Sequence, residues 1–182
     1  MLPAATGIVV EVGIGSALNL PYYPPQVEHL YGIDMSSGLL RMARRRTAGA
    51  PFPVTLLKQP AEKLPIDDRS ADTVVMTFVL CSITDSLGAL GEAKRILKRN
   101  GRLIFLEHGL APEPKIQSWQ NRITPVWRRI GGGCCLNKKI DGLISQAGFT
   151  ITELHNCYAP GPKPMTYVYR GFAQPEQGGA ER

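Results

Sequence analysis

Short apolar segments rich in β-branched residues alternate along the chain with segments whose apolar residues recur at helical spacing. Residues 7–12, GIVVEV, form the first apolar segment and predict a strand buried on both faces. The further segments that predict strands are residues 29–34, 54–59, 72–81 and 101–107. Because helical segments separate the strands, the pattern is typical of a parallel α/β sheet.

The helical segments between these strands have recognisable ends. A helix capped by Ser36 or Ser37 is predicted to run to about Ala48. A second helix is predicted over residues 85–97, with the pair Asn100-Gly101 as its stop. The elements predicted beyond the fifth strand are an inserted helix over residues 116–130, a helix capped by Asn137 that ends at Ala147, and two antiparallel strands over residues 150–156 and 165–173.

These elements predict an α/β fold: a Rossmann-like, doubly wound, mostly parallel seven-stranded sheet that closes with an antiparallel C-terminal hairpin. A chain of 182 residues suits one domain, which we expect to span residues 1–173. Residues 174–182 are polar, and we expect them to be a disordered tail.

Composition and charge limit the kinds of partner that the protein is expected to bind. The net charge of +6 is spread over several arginine and lysine clusters, which are typical of solvated helix faces, or of a surface that attracts anionic lipid or substrate. We expect no nucleic-acid partner, because no RNA-binding aromatic motif or zinc knuckle is present. Without a recognisable signal peptide or spanning apolar run, the chain is expected to be cytoplasmic, with membrane association left open. Its oligomeric state is not predictable from the sequence.

The four cysteines do not indicate a metal site. Cys81, Cys134, Cys135 and Cys157 lack the paired C-x-x-C spacing of zinc sites and the regularity of a disulfide framework. We therefore expect reduced thiols and no metal. Cys81 is expected to be a buried residue at a strand end, because nucleophilic cysteine chemistry is not required by the function inferred below.

The strongest chemical signal is a glycine-containing turn directly after the first strand. Gly13 and Gly15 allow the backbone to approach a ligand at the carboxyl edge of the sheet, where doubly wound folds bind cofactors. Asp34, about 20 residues on, follows the second strand and is placed to accept hydrogen bonds from ribose hydroxyls. The pair indicates a cofactor that contains adenosine; the alternative is a tight turn with an acid that caps a helix.

The residues after the turn help to distinguish between two cofactors that contain adenosine, NAD and S-adenosylmethionine. A dinucleotide fingerprint needs a small residue where this chain has Leu18, and the prolines at 21, 24 and 25 allow only about a turn of helix to hold a diphosphate. Glu11 would repel a phosphate, but it suits a ligand with an ammonium or sulfonium group. These features favour S-adenosylmethionine over NAD.

An ordered set of motifs resembles the class I S-adenosylmethionine-dependent methyltransferases. The motifs are E-V-G-x-G-x-x-x-N-x-P-Y-Y (residues 11–23), G-I-D (32–34), A-E-K-L-P (61–65), V-L-C-S-I (79–83), E-A-K-R-I-L-K-x-x-G (92–101) and L-E-H-G (106–109). The set covers about residues 8–172. It is most similar to the branch that holds alkyl-thiol methyltransferases and the ubiquinone-biosynthesis and phosphatidylethanolamine N-methyltransferase types.

The resemblance implies roles by position. Glu11, Gly13 and Gly15 would line the methionine part of the cofactor, with Asn19 nearby. Asp34 would hold the ribose. The other residues implied to border the cofactor are Met35, Ala61 and Glu62 at the adenine, and Thr77, Phe78 and Leu80 at the sulfonium and the acceptor. Pro60 replaces an Asp that many relatives carry, so the adenine amino group is expected to rely on Glu62 or on backbone.

The acceptor side is less defined. His108, after the fifth strand, is the candidate base, and the alternative is a histidine that orients a loop. Trp119 and Trp127 on the inserted helix, with Tyr22 and Tyr23, are candidates for an apolar acceptor pocket or a lipid contact, although ordinary packing explains the helix equally well. The expected acceptor is small or lipid-like: a thiol, an amine or a phenol.

The resemblance also implies one or two helices before the first strand that fold over the cofactor. Residues 1–6 are too few to form such a lid, so we expect weakened cofactor affinity. A catalytically weak or inactive domain that binds a cofactor or a partner therefore stays open as an alternative. An NAD-dependent oxidoreductase and an RNA methyltransferase are further, less favoured alternatives.

Overall fold

The computed structural model describes residues 1–176 and consists of one twisted sheet with helices on both faces. The strands are β1 Gly7–Val12, β2 Val27–Ile33, β3 Val54–Leu57, β4 Ala71–Thr77, β5 Leu97–His108, β6 Phe149–Tyr158 and β7 Tyr167–Pro175. The helices are α1 Ser37–Thr47, α2 Ser86–Ile96, α3 Pro114–Ile130, α4 Ile140–Gln146 and the short α5 Lys163–Thr166. Two 3₁₀ turns, Leu2–Ala4 and Leu20–Tyr22, flank β1.

The strand order in the sheet is β3-β2-β1-β4-β5-β7-β6. Strands β1 to β5 are parallel to one another, and β7 is antiparallel to both β5 and β6. The predicted seven-stranded, doubly wound sheet with an antiparallel C-terminal hairpin is confirmed. The strand order reverses between β1 and β4, and a crevice at such a switch point is where open α/β sheets bind ligands.

The two faces of the sheet bury separate apolar layers. Val10 and Val12 of β1 point into a core formed with α2 and α4, whereas Val9 points to the opposite core, which includes Leu40 and Ala43 of α1. This alternation follows from the two-residue period of a strand. A third, smaller cluster of Cys81, Cys134 and Leu136 lies beneath α3 and is partly covered by Ile123, Trp127 and Met165.

The fourth strand is shorter than predicted. The apolar run over residues 72–81 predicts one continuous segment, yet β4 ends at Thr77. Phe78 has φ +53°, which turns the chain out of the sheet. The next three backbone N–H groups, from Val79 to Cys81, donate to the carboxylate of Glu107 instead of to a neighbouring strand.

The second helix passes directly into β5. The sequence places the end of this helix at Asn100-Gly101, but α2 ends at Ile96 and β5 begins at Leu97. The carbonyls of Arg95 and Ile96 accept hydrogen bonds from the backbone N–H groups of Arg69 and Ser70, so the connection to β4 ends the helix early.

The remaining differences are local. Ser36 caps α1 as expected, since its hydroxyl accepts from the Leu39 N–H. Asn137 does not cap α4; Lys139 occupies that position, and the Asn137 amide instead donates to Asn121. Strand β7 continues to Pro175. The expectation of a disordered tail is therefore wrong for residues 174 and 175, which lie in the strand. Residues 177–182 of the expected tail lie outside the described residues.

Within residues 1–176, every helix is too short or too polar to cross a lipid bilayer.

Candidate active site

A cleft with a volume of about 560 Å³ opens beside the carboxyl ends of β1, β2 and β4, next to the switch point of the sheet. Its lining residues are Val12, Gly13, Gly15, Ile33, Asp34, Met35, Ser36, Leu39, Gln59, Ala61, Glu62, Phe78, Val79, Ser82, Ile83 and Gly132. The predicted residues that it brings together are Gly13, Gly15, Asp34, Met35, Ala61, Glu62 and Phe78. A second hollow of about 490 Å³, between α2 and α4, contains none of the predicted site residues.

The turn after β1 faces the carboxylate that follows β2. Gly13 and Gly15 have φ of +75° and +56°, a backbone region that is costly for other residues. The Gly15 N–H donates to Oδ2 of Asp34 at 2.9 Å, and the Ser36 N–H donates to its Oδ1 at 2.7 Å. Asp34 is therefore held in one orientation while its carboxylate still borders the cleft.

Glu11 lies behind this turn and not in the cleft lining. It is 1% exposed, and its carboxylate accepts hydrogen bonds from Asn19 Nδ2 at 2.6 Å and from the Tyr23 hydroxyl at 3.0 Å. Asn19 Nδ2 also donates to Thr77 Oγ1 at 2.8 Å. Burial raises the pKa of Glu11 to about 7, although both hydrogen bonds oppose the shift. The predicted residues Glu11, Asn19 and Thr77 thus form one polar network beneath the cleft.

The loop after β3 carries the residues predicted to border the adenine. Ala61 and Glu62 line the cleft together with Gln59. The guanidinium of Arg95 on α2 donates to the carbonyls of Leu64 and Ile66 in the same loop. Arg95 also pairs with Glu92 and Asp68 at 2.8 and 2.6 Å, so α2 determines where this loop lies.

Phe78 is strained at the end of β4. A non-glycine residue with φ +53° costs about 1 kcal/mol or more, and such strain tends to persist at functional sites. Its ring is 47% exposed and lines the cleft. Leu80, which we had expected at the acceptor, is fully buried and does not line the cleft.

Glu107 holds the segment that follows Phe78, and the sequence analysis assigned it no role. Its carboxylate is fully buried and accepts backbone N–H groups from Val79, Leu80 and Cys81. Burial raises the pKa of Glu107, and the three N–H donors oppose that shift. An acid within the otherwise apolar LIFLE run was the one signal that would have identified it.

His108 lies next to the cleft, behind Phe78. The two rings are 4.7 Å apart between centroids, and His108 Nδ1 is 3.8 Å from the sulfur of Cys134. Cys81 is 1% exposed, as expected for a buried strand-end residue.

The four aromatic residues proposed for the acceptor lie away from the cleft lining. Tyr22 is 64% exposed and Trp119 is 56% exposed, both at the surface. Tyr23 is buried, bonds to Glu11 and packs edge-on against Phe52. Trp127 packs onto the cluster of Cys81, Cys134 and Leu136. The helical spacing of α3 did not reveal that its two tryptophans point in different directions.

Sequence comparison relates this chain to known proteins. Residues 10–105, more than half of the chain, match the family model for a methyltransferase domain. The chain is 31% identical over 172 residues to thiol S-methyltransferase TMT1B of Homo sapiens, covering 92% of this chain and 69% of that protein. It is 33% identical over 107 residues to phosphatidylethanolamine N-methyltransferase of Cereibacter sphaeroides, covering 58% and 52%. The chain spans 61% to 69% of the length of its curated thiol-methyltransferase relatives.

The solved structure of an S-adenosylmethionine-dependent methyltransferase from Methanosarcina mazei superposes with a TM-score of 0.70 at 18% identity, over 94% of this chain and 93% of that one. Identity this low shows the fold alone. The family model, which matches the sequence itself, shows the family to which the chain belongs. This chain belongs to the family of S-adenosylmethionine-dependent methyltransferases.

Proposed function

We propose that the cleft binds S-adenosylmethionine and that the protein transfers its methyl group to a small apolar or lipid-like acceptor, with a thiol favoured over an amine or a phenol. The observation that carries this proposal is the Gly13–Gly15 turn facing Asp34 across the mouth of the cleft. The thiol preference rests on the curated relatives that are named thiol S-methyltransferases.

Asp34 is suited to the ribose of the cofactor. Each of its oxygens accepts one backbone N–H, and a carboxylate oxygen has a second lone pair to offer. The two ribose hydroxyls would donate to these remaining positions. Met35 and the loop with Ala61 and Glu62 border the same part of the cleft and would enclose the adenine.

The methionine end would lie over Gly13 and Gly15, close to Phe78 and the Glu11 network. A Cβ at Gly15 would meet no atom nearer than 4.0 Å, so the absent side chain leaves open space for a ligand. Glu11 and Asn19 would act from beneath, since neither lines the cleft. In its ionised form, the carboxylate of Glu11 would favour the positive charge of the cofactor even without direct contact.

Methyl transfer requires little from the protein beyond alignment. When bound, the cofactor would supply an activated methyl carbon and a neutral leaving group, and the cleft would have to hold the acceptor in line with the methyl–sulfur bond. Phe78 offers an apolar wall to position the acceptor. His108 lies behind that wall, which supports a role in holding Phe78 rather than in removing a proton from the acceptor.

Calorimetry with S-adenosylmethionine and with its demethylated product tests the cofactor site. We expect Asp34→Asn to weaken binding by at least about 10-fold, equivalent to about 1.4 kcal/mol. The exposed Asp67→Asn serves as the matched control and should bind as the parent does. Equal affinities for the parent and Asp34→Asn would contradict the assignment of the ribose site.

Transfer of a labelled methyl group to a panel of thiols, amines and phenols tests the acceptor. We expect apolar thiols to accept the label and Phe78→Ala to reduce kcat/KM for them. Labelling of amines alone would replace the thiol by an amine in this proposal. Cofactor binding without transfer to any class would favour a domain that binds the cofactor without catalysis.

An exposed apolar stripe on α3 supports a lipid-like acceptor or a membrane contact as a second element of the proposal. Val126 and Ile130 are 62% and 75% exposed, and Trp119 continues the stripe. Arg122 and Arg129 lie beside it and are exposed. Apolar side chains flanked by arginines are the pattern of helices that lie at a membrane interface.

A further inference from the structure

Three side chains that are far apart in the sequence meet beneath α3. The ligating atoms of Cys81, His108 and Cys134 all lie within 4.8 Å of one another. Cys81 follows β4, His108 ends β5, and Cys134 follows the glycine turn after α3, so each comes from a different element. Both sulfurs belong to buried residues, and no disulfide joins them.

The spacing of these atoms fits a tetrahedral zinc ion. With Zn–S of about 2.3 Å and Zn–N of about 2.0 Å, a tetrahedral site places sulfur and nitrogen about 3.6 Å apart. Cys134 Sγ and His108 Nδ1 are 3.8 Å apart. The contact is a long hydrogen bond between the thiol and the ring nitrogen, and its length is close to the separation of two ligand atoms on one tetrahedral ion.

The surroundings of the cluster offer support for bound thiolates. The indole Nε1–H of Trp127 is buried, and among the described residues its neighbour is the sulfur of Cys134, which is a weak acceptor as a thiol. Trp127 packs onto Cys81, Cys134 and Leu136. A metal-bound thiolate at Cys134 would be a stronger acceptor for this buried donor than a thiol is. Such donors around a metal site orient the ligands and tune the ion.

The cluster also adjoins the cleft. Phe78, whose ring packs on His108, lines the cleft, and so do Ser82 and Gly132 beside Cys81 and Cys134. Ser82 Oγ is 3.6 Å from Cys81 Sγ. Three protein ligands leave a fourth position on a tetrahedral ion, as in catalytic zinc sites.

We propose that Cys81, His108 and Cys134 bind one Zn²⁺ ion next to the cleft, with the fourth position of the ion free for water or another ligand. Thiolate and imidazole ligands in this combination select zinc over magnesium, calcium or manganese. The site is separate from the cofactor residues, so it holds whether or not the proposed acceptor class is correct.

Zinc binding to the reduced, purified full chain tests the proposal. We expect one Zn²⁺ per chain by elemental analysis after gel filtration, and a rise in Tm on adding zinc, because a ligand that binds the folded state stabilises it. With Co²⁺ in place of zinc, we expect the intense visible absorption of a tetrahedral site and a thiolate charge-transfer band in the near ultraviolet.

Variants identify the ligands. We expect Cys134→Ser and His108→Gln each to weaken zinc binding by more than about 100-fold, beyond the effect of losing an outer partner. Cys157→Ser and His155→Gln are the matched controls, because both residues are exposed on β6 and lie outside the cluster. Far-ultraviolet circular dichroism and a cooperative thermal unfolding transition check that each variant is folded.

Three outcomes would overturn the zinc site. The first is a folded parent that retains no zinc or gives an octahedral cobalt spectrum. The second is equal loss of zinc in the ligand variants and the controls. The third is zinc binding that survives in a folded Cys81→Ser/Cys134→Ser double variant. Failure of cofactor binding in an otherwise folded, zinc-loaded parent would contradict the proposed function and leave the metal site intact.

Discussion

Two buried glutamates show how the same side chain serves different purposes at residue scale. Glu107 accepts three backbone N–H groups, and so shapes the segment from Val79 to Cys81. Glu11 accepts only side-chain donors, from Asn19 and Tyr23. Burial is the largest influence on both and raises the pKa of each. Glu11 therefore pairs a titratable charge with the place where we propose that a cationic ligand binds.

Replacing Glu11 by Gln should alter how stability depends on pH. The pKa of Glu11 rises from 4.5 to about 7 on folding. Between these values the unfolded chain has lost the proton that the folded chain retains, so the contribution of Glu11 to the free energy of unfolding falls as pH rises. The loss is about 3 kcal/mol in total, spread over this interval.

Urea denaturation of the parent and Glu11→Gln at several pH values from 4.5 to 8 measures this effect. The parent should lose stability relative to the variant as pH rises, and the difference should level off above pH 7. Glu28→Gln removes an exposed carboxylate of the neighbouring strand β2 and should follow the parent. A difference between parent and Glu11→Gln that does not change with pH would show that Glu11 ionises normally.

At the scale of elements, the loop between β3 and β4 forms the side of the cleft where we propose that the adenine binds. This loop has no regular secondary structure of its own over most of its length. The guanidinium of Arg95 on α2 holds it in place through hydrogen bonds to the carbonyls of Leu64 and Ile66. Glu92 keeps Arg95 in place, and this pairing lowers the pKa of Glu92. Glu92 also accepts the Leu64 N–H at 2.8 Å. The two side chains therefore bind both the N–H and the carbonyl of Leu64 in the loop.

The substitution Arg95→Lys should loosen this loop while leaving the charge unchanged. A lysine cannot reproduce the planar fork that reaches two carbonyls and two carboxylates at once. We expect faster amide hydrogen exchange over residues 58–70 and cofactor binding that is several-fold weaker. Arg99→Lys, an exposed change a few residues away, should alter neither. Unchanged exchange in folded Arg95→Lys would mean that the loop is held by its own packing.

At the scale of the whole molecule, the net charge is +6, and two of the exposed arginines, Arg122 and Arg129, lie beside the apolar stripe of α3. The sheet buries its apolar residues on both faces, but Val126 and Ile130 project away from it. The inward side of α3 instead buries Gln120 and Thr124. Gln120 donates to the Gly109 carbonyl and accepts the Ala111 N–H. These hydrogen bonds, together with the packing of Ile123 and Trp127 onto the cluster beneath α3, hold the inner side of the helix, so the apolar outer side is available for another contact.

We expect the protein to sediment with vesicles that contain phosphatidylserine, and much less with pure phosphatidylcholine. Raising the salt concentration should weaken binding, because the attraction between arginines and lipid headgroups is screened. Val126→Ser/Ile130→Ser should reduce binding by at least about 10-fold, since each buried aliphatic side chain contributes about 1.5–3 kcal/mol. Leu154→Ser, an exposed apolar change on β6, is the control. Equal binding by all three proteins would exclude α3 as the contact.

The sequence by itself determined the order of the elements and the edge of the sheet at which the cleft lies. Period-two and near-continuous apolar segments predict buried strands regardless of what they pair with, and glycines with an acid about 20 residues on mark the edge where ligands bind. For this reason β1, the seven-stranded topology, and the meeting of Gly15 with Asp34 were all predictable. These are features of local pattern and of the few topologies that such patterns allow.

Tertiary structure alone decided which side chains face the cleft and which meet beneath it. An apolar run cannot show that Phe78 leaves the sheet, because the cause is Glu107, which lies 29 residues further along the chain. Nor can spacing reveal that Cys81, His108 and Cys134 converge, since they come from three elements with no regular interval. Contacts between distant residues depend on register and side-chain direction, and these exist only once the sheet is assembled.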